Sequence, residues 1–378
     1  MKGKSFCALL AFLLLLSSLT SAFASATASD SGSGSASASS TSICEETGYP
    51  RTINDSAGRT VTVEMSVARI IVLNTDAAEA VEMLGAGEDI VGVTDSISKK
   101  PALFPNLLDC EVVGTWKEFD YEKIGSLAMG DSDQIVPNII VIGYTYPDLP
   151  YGIYSVERGL APFENITAVG LDLYKQETLK DEIRKLGILL GRVEEAEAYC
   201  EWCDGKEDEV KSAVEGLPTP KVYIESSSKG GIGSLSSYGD GSALNDLCRI
   251  AGGENIGSDL VKYPKVDWEW VVSENPDVIL KIKSISDLGW SDVSELEAER
   301  SEIMTRPGAE EISAVQNGKV YVCYWGMHFG LDSVVGLTYW SRIFHPEVDL
   351  DPEMVHQEYL ARLDFEYPGE RVFVRPEI

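Results

Sequence analysis

Eight side chains of this chain stand where a parallel α/β sheet presents groups to a ligand. They are Asn74, Asp95, Trp116, Tyr144 and Tyr146 in the first half, and Tyr238, Trp325 and His328 in the second. All follow short apolar runs or lie in loops, and ligands of parallel sheets sit beyond the carboxyl ends of the strands. Polar companions accompany them: Thr75 and Asp76, Thr94 and Ser96, Ser236 and Ser237, Lys283 and Ser284. The aromatic share of this set is high. Trp and Tyr supply large rigid contact with one polar edge, which suits a bulky ligand. The competing account of each residue is that it plugs a lobe surface or the core. His328 is the one histidine near an expected cleft strand end; it would ligate a bound metal complex, donate a hydrogen bond, or merely cap its neighbours. Bare metal is a poor fit, because no His and carboxylate ligands converge by sequence position.

Other chemistries find no support. Ser227 and Ser237 lie in a glycine-rich loop, yet no G-x-S-x-G elbow and no ordered Ser, Asp and His triad accompany them. Gly230-Gly-Ile-Gly233 lacks the remainder of a dinucleotide fingerprint, and no phosphate loop is present. The chain therefore reads as a binding protein, not an enzyme, with no cofactor of its own. Cys200-x-x-Cys203 falls within a glutamate-rich helix, where acidic neighbours raise rather than lower a thiol pKa. Seven cysteines are present, of which Cys7 leaves with a leader; the other six are free to pair outside the cell, in no deducible order. With 61 acidic residues against 31 basic, the net charge of −30 argues against nucleic acid or anionic membrane as a partner.

The elements that position these groups follow from periodicity and punctuation. Residues 1–24 read as a secretory signal, with Lys2 and Lys4, an apolar run over 6–16, and Ala22-Phe23-Ala24 for cleavage. An uncleaved anchor is the alternative. Residues 25–48 are a Ser-, Ala- and Gly-rich tether with too little apolar surface to order itself. The working chain is thus exported, soluble or tethered near the membrane. Residues 49–176 form an N-terminal α/β lobe: a hairpin over 51–63, then strand, helix and strand at 69–73, 76–84 and 89–94, a helix from Asp120, and a strand over 138–142. Residues 177–216 are helical. Over 194–214 the apolar positions Ala196, Tyr199, Cys203, Val210 and Val214 mark one face of an inter-lobe spine, with a kink expected at Gly205 and a stop at Pro218 and Pro220. Residues 217–378 repeat the grammar, with strands at 221–225, 277–282 and 319–323. A closer echo links the halves: Asp120-Tyr-Glu122 and Asp267-Trp-Glu269 each read as a capping Asp and a first-turn Glu ahead of a proline-led apolar strand.

Order and spacing together give a resemblance. Ile53-x-Asp55-x-x-Gly58-Arg59-x-Val61, Leu84-Gly-Ala-Gly87, Ile90-Val-Gly92 and Leu186-Gly-Ile-Leu-Leu-Gly191 precede or lead into the spine. Ala251-Gly-Gly-Glu-Asn-Ile256, Asn275-Pro-Asp-Val-Ile279 and Ala314-Val-Gln-Asn-Gly-Lys-Val-Tyr321 follow it. The chain resembles a substrate-binding protein of an ABC importer, of the family that serves iron–siderophore complexes and cobamides, from Arg51 to about Leu363. That resemblance implies two doubly wound α/β lobes with parallel sheets, joined by one long linking α-helix, with a ligand cleft between them. It implies a monomer that delivers an iron chelate or a cobamide to an ABC permease dimer with its ATPase. It also implies that Glu122 and Glu269, one per lobe, dock onto permease arginines. A surface sensor or adhesin that keeps the fold without transport is the alternative. Residues 364–378 match nothing in the family.

Overall fold

Branched apolar residues build the centre of the first sheet. In the computed structural model, which describes residues 48–129, 139–227, 231–285, 288–365 and 371–378, the strands Glu111–Val112, Ile90–Val93, Arg69–Val72, Ile139–Gly143 and Ile166–Gly170 lie side by side in that order, all parallel. The expected signal over 1–24, nearly all of the tether over 25–48, and the extra residues of the first echo around 130–134 lie outside the described residues. Ile70, Ile71 and Val72 and all of Ile139 to Ile142 are fully buried. That continuous apolar run is what a parallel sheet with both faces covered requires. The antiparallel hairpin Arg51–Asn54 with Thr60–Val63 is stapled to this sheet by Asp55, whose carboxylate accepts from the backbone N–H of Ala57, Arg59 and Gly170.

The second sheet runs Glu254–Asn255, Lys221–Ser226, Val278–Lys283, Val320–Tyr324 and Val374–Arg375. Its first four strands are parallel and the last is antiparallel. That last strand belongs to the tail that matched no motif. The Tyr324 N–H donates to the Phe373 carbonyl at 2.8 Å, and the Phe373 side chain is buried. The tail closes an edge that would otherwise offer unpaired backbone groups.

The helical stretch between the sheets is a shorter helix followed by the long spine. Gln176–Leu190 packs on the Arg51–Asn54 hairpin strand of the first lobe, turns at Gly191, and continues as Val193–Val214. Gly191 has φ +73°, a left-handed turn that favours glycine, and the Arg51 guanidinium occupies the space a Cβ would take. The longer helix buries Ala196, Tyr199, Cys200, Cys203 and Val210. It is fastened to the second half by the Tyr199 hydroxyl, which donates to the Leu331 carbonyl at 2.7 Å, and by the Trp202 indole, which donates to Glu358 at 2.7 Å. It runs unbroken through Gly205, whose missing Cβ faces open space. The expected interruption is absent: the glycine lies on a solvent-facing stretch, and packing elsewhere on the helix outweighs a propensity cost near 1 kcal/mol.

No cysteine is paired among the described residues, and Cys44 lies outside them. Cys110, Cys200, Cys203, Cys248 and Cys323 are free thiols, and all but Cys110 are buried. Burial pushes Cys200 up to about 11 and Cys203 up to about 12, so the C-x-x-C pair is held as unreactive thiol within the helix. They pack as small apolar side chains.

Candidate functional site

Between the two lobes lies a cleft of about 450 Å³. Its first wall is set by the helix Thr75–Met83. The Asn74 side chain accepts from the Ala77 N–H at 2.8 Å and caps this helix, which leaves Thr75, Asp76 and Glu79 on the cleft. Tyr144 and Tyr146 leave the carboxyl end of Ile139–Gly143 and join Tyr174, which follows Ile166–Gly170. The Tyr144 ring is 5.1 Å from Tyr146 and 5.6 Å from Tyr174. The Tyr144 hydroxyl donates to the Asp76 carboxylate at 2.5 Å. The second lobe supplies Tyr238 and Tyr263, 6.1 Å apart and edge to face, with Tyr324 and Trp325. Trp325 lies on Phe329, ring centres 4.6 Å apart at 28°. Such pairs hold their partners rigid, so little side-chain freedom is left to lose on binding.

The floor is acidic. Glu79, Asp332 and Tyr359 meet there; the Tyr359 hydroxyl donates to Glu79 across from the helix Pro352–Arg362. Burial raises the carboxyl of Asp76, brings Glu79 up to about 7, and pushes Asp332 well above the usual range; neighbouring carboxylates add to each shift, Asp172 on Asp76, Asp76 and Glu82 on Glu79, and Glu79 and Asp76 on Asp332. Lys100 is the one basic side chain on the wall among the described residues. His356 also lines the floor, where burial holds it down at about 4 and therefore neutral.

The structure brings together four of the eight side chains marked in the sequence: Tyr144, Tyr146, Tyr238 and Trp325 line the cleft. The other four lie elsewhere. Trp116 is exposed and outside the cleft lining, its ring edge-on to Tyr151 at 5.4 Å, which in turn meets Tyr146 at 5.7 Å; Lys117 covers its face at 4.1 Å. Asp95 pairs with Lys99 at 2.5 Å outside the cleft. Asn74 is buried as the helix cap. His328 is a correction: it is 0 % exposed, packs 5.0 Å from Trp340, and is held neutral at about 4 by burial. The turn Trp325–His328 points its first residue to the cleft and its last to the core. Sequence reasoning missed Glu79, Lys100, Tyr174, Tyr263, Phe329, Asp332 and Tyr359. Only Glu79 carried a local signal, three residues after Asp76 and so on the same helical face.

Glu122 and Glu269 are both exposed, each in the first turn of its helix, Tyr121–Met129 and Trp268–Glu274. Asp120 accepts from the Lys123 N–H at 2.9 Å and Asp267 from the Trp270 N–H at 2.8 Å, so the two caps are built alike. Among the described residues no three His, Cys, Asp or Glu side chains are grouped to hold a metal ion, and no helix is long and apolar enough to cross a membrane.

A family model described as periplasmic binding protein matches residues 70–324. Among solved structures, the chain is similar to the TroA-like periplasmic binding protein FepB from Veillonella parvula, with TM-score 0.67 and 22 % identity over 86 % of this chain and 99 % of that one. It is similar to MolA from Haemophilus influenzae, the molybdate periplasmic binding protein, with TM-score 0.61 and 17 % identity over 84 % and 99 %. It is also similar to a periplasmic heme binding protein from Pseudomonas aeruginosa, with TM-score 0.55 and 21 % identity over 75 % and 95 %. At these identities the likeness is one of fold. No curated protein matches the chain.

Proposed function

Because the chain belongs to the periplasmic binding protein family, we propose that it is the extracytoplasmic substrate-binding protein of an ABC importer. It captures an iron chelate or a cobamide between its lobes and hands it, as a monomer, to a permease dimer with its ATPase. The observation that carries this is the cleft itself: aromatic rings from both lobes face a single space of about 450 Å³. That volume falls within the range of sites that bury small organic ligands, roughly 300–1,000 Å³. Tyr263, 64 % exposed, and Trp116 outside the lining extend the contact surface for a ligand that outgrows the space. Heme and molybdate appear in the names of structural relatives; of the two, a flat ring system is the better match for tyrosine walls.

Titration of the mature chain with a cobamide, a ferric chelate and haem tests this. One of them is expected to bind below micromolar, about −8 kcal/mol or better. Trp325→Ala is expected to weaken that binding by more than about 1 kcal/mol, as truncated aromatic anchors do. Trp116→Ala, outside the lining, is expected to cost less. Equal affinity of wild type and Trp325→Ala would remove Trp325 from the site.

A further inference from the structure

Resting on the binding-protein reading above, we propose that the cleft selects its ligand by charge. It accepts a chelate or macrocycle that turns a cationic group toward its floor, and it turns polyanionic chelates away. The cleft is the site; its floor decides which charge is admitted.

Three carboxylates reach that floor from two directions. Asp76 and Glu79 share a face of Thr75–Met83, and Asp332 stands at the start of Ser333–Phe344. Against three acids the lining offers one base, Lys100, among the described residues; Lys175, paired with Asp172, and Lys262 stand behind it over the Tyr174 and Tyr263 rings. An anion of several charges would have to shed water and approach this group with no guanidinium to receive it, and anion sites are typically built from Arg and backbone N–H donors. A cation meets the opposite arrangement. The three acids give up the protons that burial makes them hold and face it as carboxylates. The rings of Tyr144, Tyr146 and Tyr238 add electron-rich faces that attract ammonium groups, as Tyr174 and Tyr263 already do for Lys175 and Lys262, 5.6 and 5.7 Å from their ring centres. The net charge of the whole chain, −30, acts in the same sense at long range, drawing cations in and slowing the approach of anions.

Protons report on the same contact. Glu79, at about 7, faces Asp76 and Glu82 on its own helix, Lys100, the Tyr359 hydroxyl from Pro352–Arg362, Asp332 from the start of Ser333–Phe344, and Tyr199 from the spine helix. His356 beside them is neutral. In the empty cleft at neutral pH the floor therefore retains protons that a bound cation lowers the affinity for and expels. Affinity for a cationic ligand then rises as pH climbs through 7, and affinity for an anionic one falls.

The experiment uses the mature chain and three ferric chelates of similar size: a trihydroxamate with a pendant ammonium, the same compound with that amine acetylated, and a trianionic tricatecholate. The ammonium chelate is expected to bind about tenfold tighter than its acetylated form, with the tricatecholate weakest. Calorimetry in two buffers of different ionisation heat is expected to show proton release on binding the ammonium chelate alone. Asp76→Asn, Glu79→Gln and Asp332→Asn together are expected to erase the gap; Glu79→Gln alone, should the triple variant not fold, is expected to reduce both the gap and the proton release. Equal or tighter binding of the trianion overturns the charge selection and leaves the binding-protein reading standing. Binding of none of the three also overturns the charge selection; whether a cobamide or haem then binds decides the broader reading separately.

Discussion

A chain carrying both Glu122→Lys and Glu269→Lys is expected to bind its ligand with unchanged affinity and to support no uptake. Both side chains are exposed and neither touches the cleft. Each sits in the first turn of a helix, near its positive end, where a carboxylate contributes about 0.3–1 kcal/mol. That modest stabilisation alone would account for both glutamates, which stand one on each lobe behind matching Asp caps. Equivalent carboxylates on two similar lobes suit a partner with twofold symmetry, and paired arginine–carboxylate contacts are strong and directional. Lysine at both positions places like charge against such arginines. Glutamine at both removes the attraction alone and is expected to reduce uptake less severely. Uptake is measured in a cell that depends on this importer for its ligand. Normal uptake by the double lysine variant would return both residues to helix stabilisation.

Arg306→Ala is expected to destabilise the fold by about 3–5 kcal/mol. Glu225 is fully buried in the second sheet, and register places Lys281 of the neighbouring strand directly beside it. Arg306 grips Glu225 with two hydrogen bonds, 2.7 and 2.9 Å, and lies 4.7 Å over the Trp268 ring while also holding Glu302. Burial alone would raise the Glu225 carboxyl; Arg306 and Lys281 outweigh it and hold it below the usual range. A carboxylate with a depressed folded pKa stabilises above its unfolded pKa of about 4.3, and that contribution is lost as pH falls through the folded pKa. Without Arg306 the acid keeps its desolvation and loses one of its two cationic partners, along with both guanidinium hydrogen bonds. Urea melts at neutral pH check the magnitude, and a loss under about 1 kcal/mol would mean that Lys281 suffices alone.

What was legible in the sequence was what local pattern controls. Ile139–Gly143 and Val320–Tyr324 are continuous apolar runs, so the aromatics at their carboxyl ends, Tyr144, Tyr146 and Trp325, could be placed on a cleft before any contact was known. His328, only three residues after Trp325, could not, because the short turn that carries it reverses direction from wall to core. Asn74 has the residue type that caps helices, and capping claimed it. The acidic floor was hidden for a different reason. Asp332 and Tyr359 belong to helices after the last parallel strand, and only the return of those helices onto Thr75–Met83 joins them to Glu79. The two-residue strand Val374–Arg375 carries too little pattern of its own and exists because Val322 and Cys323 lie beside it. The cysteine spacing carried no pairing, and burial accounts for the four interior thiols among the described residues.

Capture of a ring-bearing ligand in the tyrosine cleft is tested most directly by what the protein carries. The chain is purified from its own host without denaturation, and the absorption and mass spectra of the bound material are taken. A corrinoid, a ferric chelate and a haem absorb differently in the visible. One such species is expected at close to one per chain, lost when Trp325 and Tyr144 are both replaced by Ala. A chain that carries no chromophore, and takes up none when the three are offered at saturating concentration, would contradict the assignment.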